Sequence, residues 1–191
     1  MIDDIVEAIG AGKPVLLPTD TVYGLCADAH SEDAVRALYR LKGRAELQPT
    51  ALVASSAEAV YHALPELRGR PLLPGPYTLI VPNPERRFRW LTGDRAETIG
   101  IRVPRLTGDA QAVLDQVGVV AATSANLPGG PDPRRLDEVP NQIRAGCAAE
   151  IDGGELPGKP STVIDLTGDE PAVVREGAVP AADALAQLAL A

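Results

Sequence analysis

Three pairs of polar residues stand two positions apart and close to glycine: Thr19 and Thr21 in PTDTVYG, Lys42 and Arg44 in LKGR, and Ser124 and Asn126 in TSANLPGG. In extended backbone, positions two apart project to one face. Each pair can therefore offer two donors or acceptors to a single ligand. Gly24, Gly43 and the Gly129–Gly130 pair would let backbone approach that ligand closely. Each pair also has a local reading. Thr19, Asp20 and Thr21 can bond neighbouring backbone in a turn, and Ser124 and Asn126 can cap the next element, with Pro128, Gly129 and Gly130 marking a turn. Lys42 and Arg44 can offset the negative end of a helix dipole.

Two arginines add to the inventory. Arg102 in GIRVP and Arg175 in VVREG lie inside apolar runs, where an unpaired charge is costly. Each either pairs with one of the 26 acidic residues or shares a bound anion. Other chemistries lack their signatures: there is no GxxxxGK[ST] loop, no GxGxxG after a strand and no HExxH. His30 and His62 border helices without a nucleophile-elbow partner, which reads as surface placement. Cys26 and Cys147 have no metal-ligand spacing and read as reduced, mostly buried thiols. A shared anion site therefore stands beside the structural readings of the same residues.

The elements that would position these residues alternate between two periodicities. Helices are expected over 3–11, over 32–41 behind a Ser31 cap, from a Ser55–Glu58 capping box through 64, over 109–117, over 134–144 with an interruption near Pro140, and over 181–190. Strands are expected at 14–18, 50–54, 77–81, 98–103, 119–123, 161–166 and 172–176. The alternation predicts an α/β layer architecture with a largely covered sheet, made mixed by the late strand pair. Two of the polar pairs follow strands, where open α/β sheets bind ligands. Without repeats or a long linker, residues 1–191 read as one domain.

Composition narrows the partners. The chain carries a formal net charge of −8, and aromatic residues make up 3%. That argues against broad electrostatic binding to nucleic acid or anionic lipid and against a surface of stacked aromatics. No apolar run reaches the length of a membrane span and no secretion signal opens the chain. The expected setting is the cytoplasm.

Seven motifs, PTDTVYGL, LKGR, PGPYTLI, GIRVP, TSANLPGG, STVID and VREGAV, occur in the order seen in the YrdC/TsaC family. The chain resembles the single-domain form of that family over about residues 14 to 180. The resemblance implies a twisted mixed sheet with surrounding helices and a deep central cavity. It also implies a nucleotidyltransferase, a threonylcarbamoyl-AMP synthase. Such an enzyme takes L-threonine, bicarbonate and ATP as substrates, with Mg2+ held mainly by phosphates and no protein metal site. It releases pyrophosphate, and downstream proteins use the product to modify tRNA.

By the same resemblance Lys42 and Arg44 are catalytic and, with Thr98, Ser124, Asn126 and Arg175, bind the nucleotide. Thr19, Thr21, Tyr23, Arg102, Thr123 and Ser161 hold the other substrate. The chain departs from the family pattern where Ala45 replaces a proline and Thr50 replaces a leucine. Two further readings stay open: a related carbamoyl-adenylate enzyme with another substrate, and a non-catalytic module of the same fold that contacts double-stranded RNA. Neither involves a membrane.

Overall fold

The computed structural model describes residues 1–43, 45 and 48–190. Among these, nine strands form one mixed sheet. They are β1 Val15–Pro18, β2 Tyr23–Asp28, β3 Ala51–Ala54, β4 Tyr77–Pro82, β5 Thr98–Arg102, β6 Val119–Ser124, β7 Ala149–Glu150, β8 Thr162–Asp165 and β9 Ala172–Arg175. Their order is β7-β1-β2-β6-β3-β5-β4-β8-β9. β1–β2, β2–β6, β3–β6, β4–β5 and β8–β9 pair antiparallel, and β1–β7, β3–β5 and β4–β8 pair parallel.

Alternation along the strands builds two cores. Leu16, Leu25, Leu52, Leu79, Ile101 and Ala121 face the larger one. There they meet α2 (Glu32–Lys42), α3 (Ala57–Ala63), α5 (Asn141–Ala145) and α6 (Ala181–Ala189). Val15, Leu17, Cys26, Val53 and Val120 point the other way and pack beneath α1 (Ile2–Gly10) and α4 (Gly108–Val117) through Ile5, Ile9, Val113 and Leu114. α2 starts as its sequence predicts, with Ser31 Oγ accepting from the Ala34 N–H at 3.2 Å. It ends where Gly43 takes a left-handed conformation (φ 66°), which a side chain would resist.

Two expectations need correction, and two strands stand where the sequence marks no element. One is β2. Its small residues, Gly24, Cys26 and Ala27, weaken the apolar pattern although the strand is buried on both faces. The cap of α3 is Ser56, whose Oγ accepts from the Ala59 N–H, rather than Ser55. The helix expected over 134–144 is a 3-10 turn at Leu136–Glu138 and the short α5, because Pro140 supplies no N–H to continue a ladder. β7 is two residues long and has no periodicity to read. Both histidines are exposed and both cysteines are free thiols, Cys26 buried and Cys147 half-buried.

Candidate active site

α1 and α4 cover one end of their sheet face, and the remainder opens into a cavity of about 380 Å³. Strand alternation decides what lines it. Thr78 and Ile80 face the cavity while Leu79 and Val81 are core; Thr98, Gly100 and Arg102 face it while Ile99 and Ile101 are core. Ser161 and Val163 continue the same face. Small residues at Gly24, Ala51, Gly100 and Ala122 form part of this wall.

At the end of β1 the chain turns through Thr19–Val22. The Thr19 hydroxyl donates to the Val22 carbonyl at 2.7 Å, so in the 2.9 Å contact between Thr19 Oγ1 and Thr21 Oγ1 the proton comes from Thr21. Thr21 in turn accepts from Arg102 Nη2 at 2.8 Å. Arg102 Nη2 also pairs with Asp20, whose other oxygen accepts the Arg105 N–H at 3.0 Å. Burial lowers the Arg102 pKa, opposed by Asp20 and helped by the neighbouring charge of Arg175. The group nevertheless stays a cation at neutral pH. Its Nε–H is buried and has no hydrogen-bond partner. The strand arginine thus has an acidic partner while its residue still lines the cavity.

Ser124, at the end of β6, lines the cavity, whereas Lys42 and Asn126 stand behind it. Lys42 is 5% exposed. Its ammonium donates to the Asn126 carbonyl at 2.9 Å, to Asn126 Oδ1 at 2.8 Å and to the Ser124 carbonyl. The Ser124 hydroxyl donates to Asn126 Oδ1 at 2.6 Å, and Asn126 Nδ2 donates to the Gly130 carbonyl at 2.7 Å. Two polar pairs far apart in sequence are therefore one network, and its lysine organises the 124–130 loop. Arg44 lies outside the described residues.

At the other end Thr98, Ser161 and Arg175 line the wall. Arg175 Nη2 donates to the Ser161 carbonyl at 2.8 Å, and the Ser161 and Thr78 hydroxyls are hydrogen-bonded to each other at 2.8 Å. Gly177 allows this join. A Cβ there would stand 2.2 Å from the Pro160 carbonyl oxygen, so the chain can pass β8 this closely only without a side chain. Thr123 also lines the cavity.

Tyr23 does not line it. Its hydroxyl accepts the Gly153 N–H at 2.9 Å and lies 3.0 Å from Asp152 Oδ1 and 2.9 Å from the Gly154 carbonyl. The side chain points to the larger core and ties β2 to the 152–154 loop, apart from the cavity wall. The sequence reading also passed over wall residues. Asp132, Arg95 and Thr78 line the cavity. Asp132 carried a usable signal, since it stands in the same loop as Ser124 and Asn126; Arg95, in an irregular stretch, carried none.

Taken together the wall presents hydroxyls, three arginines and one carboxylate among the described residues. Such a surface can bind, orient and neutralise an anionic ligand.

Residues 7–177 match the Sua5/YciO/YrdC family model, described as "Telomere recombination". The chain is 35% identical over 179 residues to the threonylcarbamoyl-AMP synthase of Pyrococcus abyssi, covering 90% of this chain and 52% of that protein. It thus spans about half the length of that relative. The crystal structure of P. abyssi Sua5 complexed with L-threonine superposes with a TM-score of 0.83 at 34% identity, over 96% of this chain and 56% of that one. Escherichia coli YciO superposes with a TM-score of 0.77 at 28% identity, over 94% of this chain and 90% of that one.

Proposed function

Because the chain belongs to the Sua5/YciO/YrdC family, we propose that it is a threonylcarbamoyl-AMP synthase acting as one unit over residues 1–191. Threonine and bicarbonate condense to N-carboxythreonine with loss of water. A carbamate oxygen then attacks the α-phosphorus of ATP, the bond to the β-phosphate oxygen breaks, and pyrophosphate leaves. The observation that carries this reading is the cavity itself, where the wall residues of six of the seven motifs converge as hydroxyls and guanidinium groups. A reaction among anions depends on positioning and charge stabilisation and needs no protein nucleophile.

In this reading Thr19, Thr21, Arg102 and Thr123 hold threonine. Thr98, Ser124, Ser161 and Arg175 face the nucleotide, Lys42 and Asn126 fix the Ser124 loop, and Arg44 adds charge at the reacting centre. Mg2+ would be held by the polyphosphate and would supply charge neutralisation there. No group of three or more His, Cys, Asp or Glu among the described residues is placed to hold an ion. The hydroxyls and guanidinium groups of the wall would grip phosphate and carboxylate oxygens. No helix among the described residues is long and apolar enough to cross a membrane. We place the reaction in the cytoplasm, with the product passed to tRNA-modification proteins.

One observation favours a second reading, the same adenylation with another amino acid. Thr50, where the family pattern has leucine, is a wall residue 4% exposed whose hydroxyl has no hydrogen-bond partner. Pyrophosphate release measured with a panel of amino acids, with and without bicarbonate, separates the two. The first reading expects release that needs threonine and bicarbonate together. Release that prefers another amino acid supports the second.

A further inference from the structure

Asp132 is the one carboxylate on a wall otherwise made of hydroxyls, arginines and apolar groups, among the described residues. Every acidic residue that neutralises an arginine nearby is accounted for elsewhere: Arg102 is paired with Asp20, Arg134 with Glu155, and Arg135 with Asp137. No hydrogen bond or ion pair to another described residue engages Asp132.

Its position is nevertheless held. The loop is tied on one side by Asn126 Nδ2 to the Gly130 carbonyl at 2.7 Å, and on the other by the Tyr23 N–H to the Pro133 carbonyl at 3.0 Å. Between the ties runs Pro131–Asp132–Pro133, where both flanking residues have a fixed φ. The second tie sets Asp132 beside the Thr19–Val22 turn, which is also where Arg102 Nη2 reaches Thr21. The threonine protons of that turn are already directed inward, from Thr21 to Thr19 and from Thr19 to the Val22 carbonyl. That end of the cavity therefore combines a guanidinium cation, a hydroxyl oxygen able only to accept, and a carboxylate. The set matches a zwitterion, with a carboxylate against Arg102 and an ammonium against Asp132.

We propose that Asp132 receives the α-ammonium of the amino-acid substrate and makes the site selective for amino acids over the corresponding hydroxy acids. This inference rests on the synthase reading above. The test is calorimetric binding of L-threonine, of its amine-free analogue 2,3-dihydroxybutanoate and of ATP to the wild type and Asp132→Asn, with melting curves for both. The charge-assisted bond should be worth roughly ten- to a hundredfold in threonine affinity. Threonine should weaken by that factor in Asp132→Asn while ATP, the analogue and the melting temperature stay unchanged. Equal threonine affinity in the two proteins, or a loss that falls on ATP instead, overturns the assignment of Asp132 alone. A wild type that binds ATP but no threonine overturns the synthase reading with it.

Discussion

Lys42 and Asn126 lie 84 positions apart and meet through a 2.8 Å hydrogen bond from Nζ to Oδ1. The same ammonium reaches the carbonyls of Ser124 and Asn126. Removing it leaves buried acceptors without their donor, so Lys42→Met should destabilise the fold by about 1–3 kcal/mol. Because Asn126→Ala disrupts the same network, the double variant should lose less than the sum, with a coupling of about 0.5–3 kcal/mol. Denaturant unfolding of the four proteins measures this. Strict additivity would mean that the two residues act independently.

Tyr23→Phe separates a structural tie from a substrate contact. The variant keeps the buried ring and removes the hydroxyl that accepts the Gly153 N–H. A loss of about 0.5–1.5 kcal/mol in stability is expected, with the threonine and ATP KM values unchanged. A KM shift without a change in stability would restore Tyr23 to the substrate site.

Cys26 gives the fold an alkaline limit. Burial is the main cause that pushes its thiol up to about 12, from an ordinary value of 9.0. A raised folded pKa means that the unfolded chain loses its proton first. The stabilisation is therefore intact below about pH 9 and is lost as pH rises toward 12, at up to about 1.4 kcal/mol per pH unit. Unfolding free energies measured from pH 8 to 11 should fall, and Cys26→Ala should flatten the decline. An unchanged slope in that variant would place the sensitivity elsewhere.

The sequence carried most of the elements because their apolar periods were long or their caps explicit, as in α2 behind Ser31. It carried the wall residues because motif spacing and strand alternation coincide. Thr98 and Arg102 share a face by the same two-residue period that made Thr19–Thr21 and Ser124–Asn126 conspicuous. It could not show that Lys42 would serve Ser124 and Asn126, since that contact crosses the sheet and depends on α2 ending at Gly43. Nor could it distinguish Tyr23 from the threonines before it. Thr21 lines the cavity, while Tyr23 enters β2 pointing the other way, and only the position where the strand begins separates the two. Asp132 shares a loop with Ser124 and Asn126, but its place beside the Thr19–Val22 turn depends on the long-range bond from the Tyr23 N–H to the Pro133 carbonyl, which no local pattern shows.

The central claim is that this cavity joins threonine, bicarbonate and ATP. Mass spectrometry of the reaction with isotopically labelled bicarbonate, alongside a pyrophosphate assay, tests it most directly. The account predicts threonylcarbamoyl-AMP carrying the labelled carbon, formed in step with pyrophosphate and abolished when threonine is omitted. Pyrophosphate release that continues without threonine, or an adenylate lacking the labelled carbon, would contradict it.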